Sequence, residues 1–413
     1  MIDEILKQDI IIRKNYINNL NKYLDSNVIK VLTGMRRVGK SYILKTLIRE
    51  LYNSQKINKK NFFYINKEDL EYDNIKDYND LNKEFKKFLE NTTNGKIFVG
   101  IDEIQEIHDW ERFINSILSV YQNNIEIFIT GSNSNLLSSE LSTLLTGRYI
   151  EFEIFPLCLE EYSLFSGEKI SKELFMEYLK YGGLPGRFFM NKEDVVIFNY
   201  LKGIYSTIVL KDIVKYFGLR NIDFFENLYK YVFSNIGHVF SAKSISDYLK
   251  SQRVNISPET VLNYLDYGLK VYLLNLVKAE DPITKKYFEI YNKYYVGDLG
   301  LRNAISGFNL SRDIGNLLEN YAYLEFRRMG YEIKIGRLKD NEEVDFIIEK
   351  NGITKYFQIS YLLSSEDTIN REFGSLEKIS DSWEKYVVTM DDVNFGVRNG
   401  IKHINVLNLN SVL

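Results

Sequence analysis

Two hydrophobic rhythms divide this chain. In its first third, short apolar runs stand apart: VIKVL (28–32), FFYI (62–65), KIFVGI (96–101), IEIFIT (125–130) and YIEFEIF (149–155). Between them, SYILKTLIRELY and WERFINSILSVY return an apolar residue every three or four positions. Buried strands separated by amphipathic helices predict a parallel sheet with helices on both faces, so residues 1–156 read as an α/β domain.

After Pro156 that alternation stops. Residues 157–220 read as a helical lid or adapter, interrupted by GGLPG at 182–186. Residues 221–282 carry three helical patterns: FFENLYKYVFSNI, SAKSISDYLKSQ and SPETVLNYLDYGLK. The third opens with Ser257-Pro258-Glu259, a good cap and first turn. The β-rich VYLLNLVKAED follows, and three helices with a hairpin predict a winged-helix-like module. Residues 283–413 alternate again, with strands YEIKIGR, EVDFIIEK, KYFQIS and KYVVTM around helices at 315–329 and 366–380, a small α/β domain.

Composition adds exclusions. A chain of 413 residues exceeds one ordinary core. Its 45% hydrophobic and 14% aromatic content excludes a disordered or fibrous class. A net charge of −3 argues against a broadly basic nucleic-acid coat. One cysteine, Cys158, leaves no internal disulfide and fits a reducing compartment. His108, His238 and His403 are scattered, so no zinc-type cluster is expected. No apolar run has the length of a membrane span, and MIDEILKQDIIIRKN lacks the marks of a secretory signal. The expected setting is the cytoplasm.

The strongest chemical signal is VLTGMRRVGKSYIL. Gly34-x-x-x-x-Gly39-Lys40-Ser41 follows a strand and opens a helix, the context a phosphate-binding loop requires. Backbone N–H groups across Gly34, Met35, Arg36, Arg37, Val38 and Gly39 would wrap phosphates at the helix start, with Tyr42 completing the contact set. Lys40 would reach the β- and γ-phosphates and Ser41 would bind Mg²⁺. In KIFVGIDEIQ, Asp102 ends a strand as the second metal-side residue, and Glu103 is the group to polarise an attacking water. Ser132 and Asn133, after the next strand, are placed either to sense a γ-phosphate or to cap the helix NSNLLSSEL. Arg148 precedes the fifth strand, as an arginine finger in cis or from a neighbour, or as a structural ion pair.

The segments GMRRVGKS, IDEIQ followed by Trp110, ITGSNSNLLS, and LTGRYIEFEIFPL with a Glu-Glu-Tyr after it occur in that order. They resemble the prokaryotic AAA-type P-loop ATPases that carry a C-terminal domain similar to PD-(D/E)xK nucleases. YGGLPGRF, TIVLKDIV, SPETVLNYLDY, KYYVGDLGLRN and IGNLLENYAYLEF extend the resemblance over nearly the whole chain. It implies ATP rather than GTP, Mg²⁺ as cofactor, a five-stranded sheet of order 5-1-4-3-2, a winged helix and a nuclease-like tail. No guanine-reading N/T-K-x-D motif is placed to contest ATP.

Two expectations concern the later domains. A winged helix calls for double-stranded DNA in front of its third helix. That helix carries Glu259 and Asp266 against Lys270, and only Lys243, Lys250 and Arg253 gather positive charge nearby, so a packing spacer competes with a DNA reader. In the tail, the resemblance maps Glu319 as the helical acid and Asp345 as the central acid of a metal site, but Gln358 and Ser360 stand where an acid and a lysine belong. Lys355 falls on the opposite strand face, leaving Arg371 and Glu372 as substitutes, so an inactive tail is expected. The leading expectation is Mg²⁺-dependent ATP binding and hydrolysis coupled to rearrangement of the later domains, acting on nucleic acid or a protein partner. The competing readings are an ATP-switched scaffold with slow turnover and an ATP-regulated, metal-dependent nuclease.

Overall fold

The computed structural model describes residues 2–8, 10–137, 145, 147–219, 221–251, 253–338 and 342–413. The chain forms two compact units. One runs to Phe155 and takes in Lys270–Tyr272; the other holds Pro156–Leu269 and Leu273–Leu413.

The first unit is built on five parallel strands, β1 (Ile29–Thr33), β2 (Phe62–Asn66), β3 (Ile97–Asp102), β4 (Ile125–Thr130) and β5 (Tyr149–Glu153), in the order β2-β3-β4-β1-β5. This is the expected order read from the other edge. Every residue of β1, β3 and β4 is buried, because helices cover both faces of a parallel sheet. The core packs Val31, Phe63, Val99 and Ile127 with Phe113, Ile114 and Ile117 of the helix Trp110–Tyr121. Two buried polar residues of these strands, Lys30 on β1 and Glu126 on β4, form an ion pair at 2.5 Å. The helix Tyr78–Leu89 starts where Asp77 accepts hydrogen bonds from the N–H groups of Asn79 and Asp80.

The second unit begins with helices Leu159–Ser166, Lys172–Tyr181 and Asp194–Thr207, and continues through Ile222–Ser234, Ala242–Ser251 and Pro258–Lys270. A mixed eight-stranded sheet follows: β6 (Leu274–Glu280), β7 (Tyr287–Val296), β8 (Glu332–Arg337), β9 (Glu343–Lys350), β10 (Ile353–Ile359), β11 (Glu384–Thr389), β12 (Val397–Arg398) and β13 (Ile401–Asn405). Its order is β12-β13-β11-β10-β9-β8-β6-β7. The expected border at 282/283 therefore falls inside a paired hairpin. β6 and β7 run antiparallel, and β6 pairs in parallel with β8, so the hairpin after the three helices is the edge of the tail's own sheet. Among the described residues, no helix is long and apolar enough to cross a membrane.

Candidate functional site

The sequence GMRRVGKS turns from β1 into the helix Lys40–Asn53 through three residues with positive φ: Gly34 (132°), Arg37 (69°) and Gly39 (103°). At Gly34 a Cβ would lie 2.3 Å from the carbonyl oxygen of Ile154, so only glycine fits where the loop leaves the sheet. Arg13 fastens the loop from outside, donating to the carbonyls of Val38 (2.9 Å) and Phe155 (3.0 Å). Lys40 is buried, and its ammonium donates to the carbonyls of Gly34 (2.8 Å) and Met35 (3.1 Å). Met35, Arg36 and Val38 are buried, whereas Arg37 and Tyr42 are exposed.

Asp102 and Glu103 meet the loop from the carboxy end of β3. Asp102 is 1% exposed and hydrogen-bonded by Ser41 and Thr130, with the Tyr64 hydroxyl 3.3 Å away. Burial and the adjacent Glu103 charge push the Asp102 carboxyl up, against the Ser41 and Thr130 hydroxyls and Lys40. Glu103 behaves oppositely. Burial would raise it, but the charges of Lys40 and Arg36 and hydrogen bonds from Gln105 and Ser132 outweigh that and hold its carboxyl below the usual range. Ser132 donates to Glu103 Oε2 at 3.2 Å, so its hydroxyl is turned toward this acid. Asn133 is buried beside it, and its carbonyl accepts the first bond of the turn Ser134–Leu137. The expected helix beyond 137 lies outside the described residues.

The structure thus gathers Lys40, Ser41, Asp102, Glu103 and Ser132 at one end of the sheet. Three residues without an assigned role join them: Gln105 on Glu103, and Thr130 and Tyr64 on Asp102. Thr130 carried a readable signal as the polar end of an apolar strand; Tyr64 did not. The oxygen donors of Ser41 and Asp102 suit Mg²⁺, which prefers hard oxygen ligands and shares them with phosphates and water. Arg148 is elsewhere. Tyr149 is in register with Ile29, so Arg148 stands at the amino end of β5 while the loop leaves the carboxy end of β1. The five residues between span about 16 Å at strand rise, beyond an arginine's reach. A finger on the same chain's nucleotide is therefore corrected; the neighbour arrangement and the structural ion pair remain.

In the tail, Glu319 and Asp345 do come together, joined by Glu343 and a lysine the sequence reading passed over. Lys293, on β7, lies 2.9 Å from Glu319 Oε1 and 3.9 Å from Asp345 Oδ1, and also pairs with Glu343. Burial opposes its charge, but Glu319, Asp345 and Glu343 together hold the ammonium protonated above its ordinary value. Burial and the Glu319 charge push Asp345 well up, with Lys293 opposing them. Gln358 accepts from the Asp345 N–H at 3.3 Å. Arg371 is exposed and pairs with buried Glu372. Among the described residues, no group of three or more His, Cys, Asp or Glu side chains is arranged to hold a metal ion.

Residues 26–163 match the family model of the AAA domain, and residues 172–312 match that of a domain of unknown function. An uncharacterized protein of Haemophilus influenzae is 34% identical over 388 residues, covering 93% of this chain and 94% of that protein. The uncharacterized protein MJ1544 of Methanocaldococcus jannaschii is 32% identical over 391 residues, covering 89% and 83%. A Walker-type ATPase of Pyrococcus abyssi is similar in fold, with a TM-score of 0.51 and 17% identity over 72% of this chain and 97% of that one.

Proposed function

The chain belongs to one family with these Haemophilus and Methanocaldococcus relatives and matches the AAA domain over residues 26–163, and on that premise we propose that it is a Mg²⁺-dependent ATPase whose turnover drives rearrangement of its second unit. The observation that carries the reading is Glu103: a buried carboxylate held ionised beside the Lys40 ammonium at the mouth of the phosphate loop. A mere phosphate cradle needs no such base. In hydrolysis, the water oxygen bonds to the γ-phosphorus as the bond to the bridging oxygen breaks, giving ADP and inorganic phosphate. Glu103 accepts the water's proton, held in place by Ser132 and Gln105. Lys40 leaves the carbonyls of Gly34 and Met35 for the β- and γ-phosphates. Ser41 and Asp102 would hold Mg²⁺, which when bound neutralises phosphate charge.

The tail acids support a structural reading better than a metal-dependent nuclease, because Lys293 already supplies the cation among Glu319, Glu343 and Asp345. The partner is nucleic acid or protein. The test is a steady-state ATPase assay of the wild type and Lys40→Ala, with and without duplex DNA, single-stranded DNA and RNA at two salt concentrations. Lys40→Ala is expected to abolish turnover. Stimulation that fades with salt identifies a nucleic-acid partner, since phosphate contacts release counterions. A flat response points to protein, and full turnover by Lys40→Ala would remove the site from the reaction.

A further inference from the structure

The phosphate loop carries a second buried cation. Arg36 is 6% exposed, and its Nη1 lies 2.7 Å from Glu68 Oε1. Its position relative to the expected phosphates follows from Lys40. That ammonium donates to the carbonyl of Met35, the group bonded to the Arg36 nitrogen, so the Arg36 backbone lies beside the Lys40 ammonium. Glu68 stands just past β2, whose last residue, Asn66, is in register with Asp102, while the Lys67 N–H donates to the Asp102 carbonyl at 3.2 Å. Arg36 and Glu68 therefore meet at the same carboxy end of the sheet as Asp102 and Glu103. The Arg36 charge also acts on Glu103, helping to keep that base ionised.

The pair is asymmetric. The Arg36 side chain is 7% exposed and that of Glu68 is 41% exposed. Glu68 can return to water at little cost, as a half-exposed ion pair contributes little. Arg36 cannot shed its charge, and its planar fork matches phosphate oxygens in pairs. Among the described arginines of the first unit, Arg148 is at the opposite end of the sheet, Arg13 is bound to the carbonyls of Val38 and Phe155, and Arg37 is exposed.

We infer that Arg36 is a catalytic residue that exchanges Glu68 for the terminal phosphate of bound ATP and neutralises the charge developing there during hydrolysis. This rests on the ATPase reading above. Phosphoryl transfer depends on such neutralisation, and arginines in that role are worth about 10³–10⁵ in rate. Glu68 keeps the guanidinium aligned until nucleotide arrives.

The experiment compares wild type, Arg36→Ala, Arg36→Lys and Glu68→Gln for affinity toward ADP, affinity toward a nonhydrolysable ATP analogue, and single-turnover hydrolysis. Arg36→Ala is expected to slow hydrolysis at least about 100-fold, the scale of losing one transition-state charge contact. Its analogue affinity should fall about tenfold while ADP, which lacks the terminal phosphate, stays within about threefold. Arg36→Lys should recover part of the analogue affinity and little of the rate, because a point charge does not replace the fork. Glu68→Gln should tighten the analogue and leave ADP unchanged. Hydrolysis by Arg36→Ala within about threefold of wild type overturns the inference. So does an equal loss of ADP and analogue binding, which marks a structural ion pair. If wild type itself hydrolyses nothing, the ATPase reading falls separately. The terminal-phosphate contact is then judged by the ADP-to-analogue ratio, and an unchanged ratio in Arg36→Ala removes it too.

Discussion

Glu103 has φ 56° and ψ 51°, a left-handed conformation that costs a non-glycine residue on the order of 1–3 kcal/mol. The strain is held by the fold: its N–H donates to the Thr130 hydroxyl at 3.1 Å, and its carboxylate is fixed by Ser132 and Gln105. Lys293 is the other residue whose surroundings define it, as one ammonium serving three carboxylates with a side chain 4% exposed. Lys293→Met should destabilise the second unit by roughly 3–5 kcal/mol at neutral pH, the cost of leaving buried charge unpaired. The pH dependence follows from the acids. Without the ammonium, Asp345, already raised by burial and Glu319, rises further. The folded state then keeps protons that the unfolded chain releases above about pH 4. The variant's stability is greatest below that value and is lost as pH rises through the raised one. Urea unfolding should show a larger deficit from wild type at pH 8 than at pH 5; equal deficits would contradict the charge argument.

Among elements, the loop between β1 and the helix Lys40–Asn53 is the one whose geometry has the least freedom. Gly34→Ala would drive a methyl against the Ile154 carbonyl at 2.3 Å on a backbone with φ 132°. The expected result is loss of ADP binding of at least about tenfold, because displaced N–H groups no longer converge on phosphate. Isothermal titration checks it, and unchanged affinity would mean that the loop moves freely. This loop was legible in the sequence because its spacing, its preceding apolar strand and its following helix all encode one conformation. The strands of the first unit were legible for a related reason: buried on both faces, they appear as unbroken apolar runs. β7 was not. YFEIYNKYYV mixes polar and aromatic residues, and Lys293 within it looked like one more surface lysine. Only tertiary packing, which sequence spacing does not encode, carries it to Glu319 and Asp345. The same-chain finger reading of Arg148 failed because its distance from the loop is a matter of strand register.

At the scale of the whole chain, two units divide the work. The first carries the proposed phosphate site, with Glu103, Lys40 and the oxygens of Ser41 and Asp102; the second carries helices and a mixed sheet around the acid cluster that Lys293 joins. The order of motifs along the sequence conveyed the first unit's fold almost completely. It conveyed less of the second, because a hairpin read as the end of one module proved to be the edge strands of the next. The central claim is that Glu103 is the base of an ATPase. The most direct measurement is phosphate release by wild type and Glu103→Gln, alongside ATP affinity. Glu103→Gln should bind ATP within about threefold of wild type and turn over at least about 100-fold more slowly, as loss of a positioned base predicts. Phosphate release at the wild-type rate by Glu103→Gln, or none by the wild type, would contradict the account.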